Sequence, residues 1–85
     1  MTDERYPCPC CGYLTFDQRT PGTDEICKVC YWQDDWVSFT RANIATGPNR
    51  VSLNEARENF ARFGVSEERF SADVRPPRPE ELPPG

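Results

Sequence analysis

The chain has 85 residues, of which 36% are apolar and 28% charged, and its net charge is −4. That length holds one small domain and excludes a two-domain enzyme, a doubly wound dinucleotide fold and a full-size barrel. Histidine is absent, which excludes a histidine general base, a Ser-His-Asp triad and any His-liganded zinc site.

A domain this small buries only about 60% of the surface its unfolded chain exposes. Its apolar content is also below the roughly 45–50% of ordinary globular chains. The core is therefore thin and calls for a staple, and five cysteines supply the material. Charge is spread unevenly. Residues 1–36 carry seven acids against three bases, residues 37–70 four against five, and residues 71–85 three against two. An acidic chain repels a phosphate backbone at long range, which disfavours general nucleic-acid binding. A basic face would have to come from Arg41, Arg50, Arg57 and Arg62. No stretch approaches the roughly 20 apolar residues of a membrane span. The polar start, Met1 to Tyr6, lacks the apolar segment of a signal peptide. The expected compartment is the cytoplasm, where thiols stay free or bind metal and structural disulfides are rare.

In chain order, residues 1–5 are expected to be a flexible N-terminus, followed by one domain over 6–70. The half from Tyr6 to Phe39 holds all five cysteines and seven of the ten aromatic residues. Cys8, Cys11, Cys27 and Cys30 form C-x2-C, fifteen intervening residues, then C-x2-C. This spacing fits a four-cysteine zinc site, with one ion per chain. Two cysteines separated by two residues in a tight turn can aim both sulfurs at one point, and two such knuckles close a tetrahedron. In the first, Pro9 presets the turn and Gly12 permits a positive φ just past the second cysteine. In the second, Tyr31 stands where glycine is usual.

Between the knuckles, Tyr13-Leu14-Thr15-Phe16 favours a strand, Pro21-Gly22 marks a turn, and Glu25-Ile26 returns to Cys27. The predicted fold class is a small metal-stabilised α+β domain: a zinc-ribbon-like β-hairpin with a knuckle at each end. Two disulfides are the alternative, weakened by the odd cysteine count and the compartment. Iron in a rubredoxin-like site is the other rival, because four-cysteine ligation does not by itself separate the two metals. Cys10 lies outside the two-residue spacing and reads as a half-buried small side chain, with a redox role as the alternative.

Trp32 and Trp36 are spaced for one face of a helical turn and are expected in the core over the metal site. Asp34 and Asp35 read as capping or solvated residues, with a second metal site or a catalytic pair as the alternative. Thr40 to Arg50, containing Thr46-Gly47-Pro48-Asn49, reads as a loop. An amphipathic helix is predicted over 53–63. Ser52 is its N-cap, with Glu55 completing a capping box, and Gly64 ends it. Leu53, Ala56, Phe60 and Phe63 form its apolar stripe, packed on the cysteine half. Ser66 to Phe70 suits one more turn. Residues 71–85 are rich in proline and are expected to be a disordered tail.

Three blocks resemble the cysteine-rich CPCC family of small, mostly bacterial proteins. They are Tyr6-Pro7-Cys8-Pro9-Cys10-Cys11-Gly12-Tyr13, then Glu25 to Asp35, then Gly47 to Arg57. The resemblance covers roughly residues 6–64. It implies one cysteine-rich domain and no particular activity. Trp32, Asp34 and Asp35 match the family pattern; Lys28 departs from it, standing where proline is common.

The function expected from these features is a non-enzymatic structural-zinc domain acting as a protein-interaction module, with no catalytic residue. The alternatives are an iron electron carrier or thiol redox protein, and a zinc ribbon accessory to nucleic-acid machinery.

Overall fold

The structure is a computed structural model and describes residues 4–83. The expected flexible N-terminus and disordered tail extend over residues 1–3 and 84–85, which lie outside the described residues.

The cysteine-rich half consists of two loops that fold alike. In the first, the Cys8 N–H donates to the Tyr13 carbonyl and the Gly12 N–H to the Cys8 carbonyl, both at 2.9 Å. In the second, the Cys27 N–H donates to the Trp32 carbonyl at 2.9 Å and the Tyr31 N–H to the Cys27 carbonyl at 2.8 Å. Each loop then pairs its own flanks through an isolated antiparallel bridge, Tyr6 with Phe16 and Ile26 with Gln33.

This corrects the expected architecture. The hairpin running from one knuckle to the other does not form, and there is no strand among the described residues. A knuckle turn reverses the chain between Cys8 and Gly12, or between Cys27 and Tyr31, and so brings its own two flanks to pairing distance. Phe16 spends its N–H and carbonyl on Tyr6, while the Asp24 N–H donates to the Asp34 carbonyl and the Glu25 carbonyl accepts from the Asp34 N–H. Among the described residues no ladder joins one knuckle directly to the other, so other contacts must hold them together.

Helix α1 spans Trp36–Thr40, with Asp35 as N-cap accepting from the Ser38 N–H. Its start corrects the expectation for the tryptophans. Trp32 precedes the helix and is 1% exposed, whereas Trp36 opens it and is 58% exposed. The four-residue spacing therefore does not place them on one helical face.

Helix α2 spans Leu53–Phe63. The Ser52 hydroxyl accepts from the Glu55 N–H at 3.1 Å. Gly64 ends the helix at φ 79°, its N–H donating to the Phe60 carbonyl. Leu53 and Ala56 are buried with Phe16, Trp32 and the cysteines, and Phe60 packs against this cluster partly buried. The stripe ends there. Phe63 is exposed and carries the Arg62 guanidinium over its ring. A 3-10 turn, Glu68–Phe70, follows.

The segment from 71 to 83 also differs from expectation. It returns across both knuckles instead of forming a disordered tail: the Arg75 N–H donates to the Lys28 carbonyl and the Leu14 N–H to the Glu81 carbonyl. A second 3-10 turn, Pro79–Glu81, buries the Glu81 carboxylate on Arg75. Proline forbids a helix interior or a ladder here, but not an extended strap held by side chains. Among the described residues no helix is long and apolar enough to cross a membrane.

Candidate metal centre

The two knuckles aim their cysteines at one point. Cys8, Cys11, Cys27 and Cys30 place their sulfurs within 4.8 Å of one another, and this group could hold a metal ion. Cys8 Sγ lies 3.6 Å from Cys30 Sγ, and Cys11 Sγ lies 3.8 Å from Cys27 Sγ. Both close pairs join one knuckle to the other. These separations are far longer than the roughly 2.05 Å of a disulfide, and all five cysteines are free. A tetrahedron with metal–sulfur bonds near 2.3 Å has edges of about 3.8 Å. The two close pairs lie near that edge length, and the four sulfurs together could hold an ion of that size.

Each knuckle also supplies an amide to its first sulfur. The Cys10 N–H points at Cys8 Sγ and the Val29 N–H at Cys27 Sγ, both at 3.4 Å. Such donors spread thiolate charge. The Thr15 hydroxyl adds a contact on one side only, 3.1 Å from Cys27 Sγ. Cys8, Cys27 and Cys30 are buried, and Cys11 lies at the edge of the cluster.

Packed this closely, the thiols share protons. Hydrogen bonding with Cys11 and Cys27, together with burial, pushes the Cys8 thiol far above its ordinary range. Cys11 is pushed up through Cys27 and Cys30, and Cys30 through Cys10 and Cys27. Cys27 goes the other way, held down by donation from Cys11, Cys30 and Cys8. A cation entering the cluster must displace the remaining protons, so its affinity weakens as pH is lowered.

The other residues singled out in the sequence have structural posts. Cys10 is buried beside the cluster, outside the four-sulfur set. Asp35 caps α1. Asp34 is fully buried rather than solvated, and its Oδ2 accepts from the Thr23 N–H at 3.0 Å. Arg41, Arg50, Arg57 and Arg62 are all exposed.

Three residues that matter to the site carry no motif. Thr15 reads only as a strand former. Asn49 reads as a loop residue, yet its side chain bridges the N–H and carbonyl of Gln33 behind the second knuckle. Glu81 falls within a Pro-rich segment. Each acts through a contact between segments distant in sequence, which spacing alone does not encode.

Among curated proteins nothing matches this sequence. The four-cysteine cluster, the Cys8-Pro9-Cys10-Cys11 knuckle and the returning strap all fall within the stretch matched by one family model. On that match, over residues 6–81, the chain belongs to the cysteine-rich CPCC family.

Proposed function

We propose that the chain is a non-enzymatic structural-zinc domain that serves as a protein-interaction module. The observation that carries this reading is the cluster of four cysteine sulfurs within 4.8 Å of one another, three of them from buried residues. Four protein ligands would fill the coordination sphere of a zinc ion, leaving no position for water or substrate. With no strand to join the knuckles, an ion bridging Cys8 and Cys11 to Cys27 and Cys30 supplies the missing link. Apparent binding energies of roughly 10–16 kcal/mol for such sites match the whole stability of a small domain. Free thiols suit a reducing compartment, and the cytoplasm is the proposed location.

Elemental analysis of the purified chain, followed by chelation, tests the metal half of this reading. One zinc per chain is expected, with loss of near-ultraviolet dichroism when a chelator removes it. Iron at that stoichiometry, visible as thiolate-to-iron absorption, would favour an electron carrier instead. A metal-free chain that keeps its dichroism would contradict the structural role.

A further inference from the structure

Helix α1 is built inside out. Its buried residue is Ser38, fully enclosed, while Trp36, Val37 and Phe39 are 58%, 44% and 39% exposed. Polar pins hold the underside. The Asp35 carboxylate accepts from the Ser38 N–H, and the Ser38 hydroxyl, 3.1 Å from that carboxylate and 2.9 Å from the Thr46 carbonyl, shares its one proton between them. Gly47 closes the other side of Asp35 so tightly that a Cβ there would stand 2.8 Å from Oδ2. Ile44, 51% exposed, joins the helix end through its N–H to the Arg41 carbonyl. A thin-cored chain that keeps a tryptophan out of its core, on a helix fixed from beneath, forgoes burial it needs. The same pins fix these side chains before any partner arrives, which lowers the ordering cost of binding.

The chain segment that carries this face has a charge opposite to that of the protein as a whole. From 36 to 50 the sequence has no acid, and Arg41 and Arg50 are exposed. Asp35, the nearest acid in sequence, is turned onto Ser38. A second copy docked through the same face would set Arg41 against Arg41, and a nucleic-acid backbone offers charge but no large apolar side chain to cover Trp36 and Phe39. We propose that the outward face of α1, formed by Trp36, Val37, Phe39 and Ile44 with Arg41 at its edge, docks a segment of a partner protein that combines acidic and large apolar residues. This deepens the interaction-module reading and rests on it.

The test uses the full metal-loaded chain and calorimetric titration with a synthetic peptide of mixed glutamate, leucine and phenylalanine. The same peptide with lysine for glutamate and an oligothymidylate serve as the contrasting probes. Saturable binding of the acidic peptide is expected, weakened about tenfold or more by Trp36→Ala and by Arg41→Glu. Both positions are exposed, and dichroism from buried Trp32 reports whether each variant keeps its fold. Several results would overturn the proposal: no binding of the acidic peptide, equal binding of the lysine peptide, binding of the oligothymidylate alone, or self-association abolished by Trp36→Ala. Metal content measured on the same samples separates the two readings. An iron-loaded or metal-free protein that still binds the acidic peptide sinks structural zinc and keeps the docking face, whereas a zinc-loaded protein that binds no probe does the reverse.

Discussion

Gly12 and Tyr31 occupy the same place in the two knuckles. Both lie in the left-handed region, at φ 82° and 68°, and both donate their N–H to the carbonyl of their knuckle's first cysteine. Glycine adopts this conformation without penalty, whereas a Cβ there costs roughly 1–2 kcal/mol. Tyr31 offsets that cost by packing on Phe70, with ring centroids 4.5 Å apart. Three variants separate the two effects. A Cβ at Gly12 meets nothing within 4 Å, so Gly12→Ala should cost about 1 kcal/mol through the backbone alone. Tyr31→Ala loses the ring contact and keeps the strain. Tyr31→Gly loses the contact and releases the strain, so it should be about 1 kcal/mol the more stable of the two. Urea midpoints of the metal-loaded variants measure this, and equal midpoints for the two Tyr31 variants would show that the turn is not strained.

The ligand set makes its own prediction. Cys27→Ser should empty the site, while Cys10→Ser should retain one metal per chain by elemental analysis. Cys10 Sγ stands outside the cluster, so its loss removes packing and no ligand. Loss of metal from Cys10→Ser would reassign the site. Thr15→Val should keep the metal but shift the thiolate-to-metal absorption of a cobalt-substituted sample, because the hydroxyl at 3.1 Å from Cys27 Sγ is gone. An unchanged cobalt spectrum would show that this hydroxyl does not donate to the bound sulfur.

The contrast between Cys27 and Thr15 marks what was legible in the sequence. Cysteine spacing is local, so which four cysteines cluster could be read directly. The caps at Ser52 and Gly64 are local too, and α2 has the predicted bounds. Pairing between segments is not local. Tyr13 to Phe16 has the composition of a strand, yet its backbone is divided among Cys8 at Tyr13, Glu81 at Leu14 and Tyr6 at Phe16. Trp32 and Trp36 look equivalent by spacing, but the helix begins between them at Asp35, so one is core and the other surface. The strap from 71 was hidden for a similar reason. Its prolines announce the absence of regular structure and say nothing about a buried carboxylate between Pro79 and Pro83.

The two tryptophans should therefore behave oppositely. Trp32→Ala empties a fully packed site beside the cluster and should cost about 3–5 kcal/mol. Trp36→Ala should change stability by no more than about 0.5 kcal/mol. On α2, Leu53→Ala should cost about 2–5 kcal/mol. Phe60→Ala should fall at or below the lower end of that range, because Phe60 is only partly buried and meets Tyr13 edge-on at 6.2 Å. Arg62→Ala, on the outer face, should be nearly neutral. Denaturant melts that place Trp36→Ala with Trp32→Ala would refute the outward setting of α1.

The strap turns on Glu81, which is 2% exposed. Its two oxygens accept from the two terminal nitrogens of Arg75, each at 2.8 Å, and Oε1 also accepts from the Arg78 N–H. These hydrogen bonds, Arg75 foremost, hold its pKa down to about 2. A depressed carboxylate stabilises the folded state fully above its ordinary value of about 4.3, and that contribution is lost as pH falls from there toward the folded value. Glu81→Ala leaves the half-buried Arg75 without its partner and should cost about 3 kcal/mol at neutral pH. Amides over 72–82 should then exchange faster, because Arg75 ties the strap to Lys28 and Glu81 ties it to Leu14. The difference in urea midpoint between the parent and Glu81→Gln should hold steady from about pH 8 to about pH 5 and narrow only below that. A difference that already shrinks between about pH 8 and pH 6 would show that a group other than the Glu81 carboxylate fastens the strap.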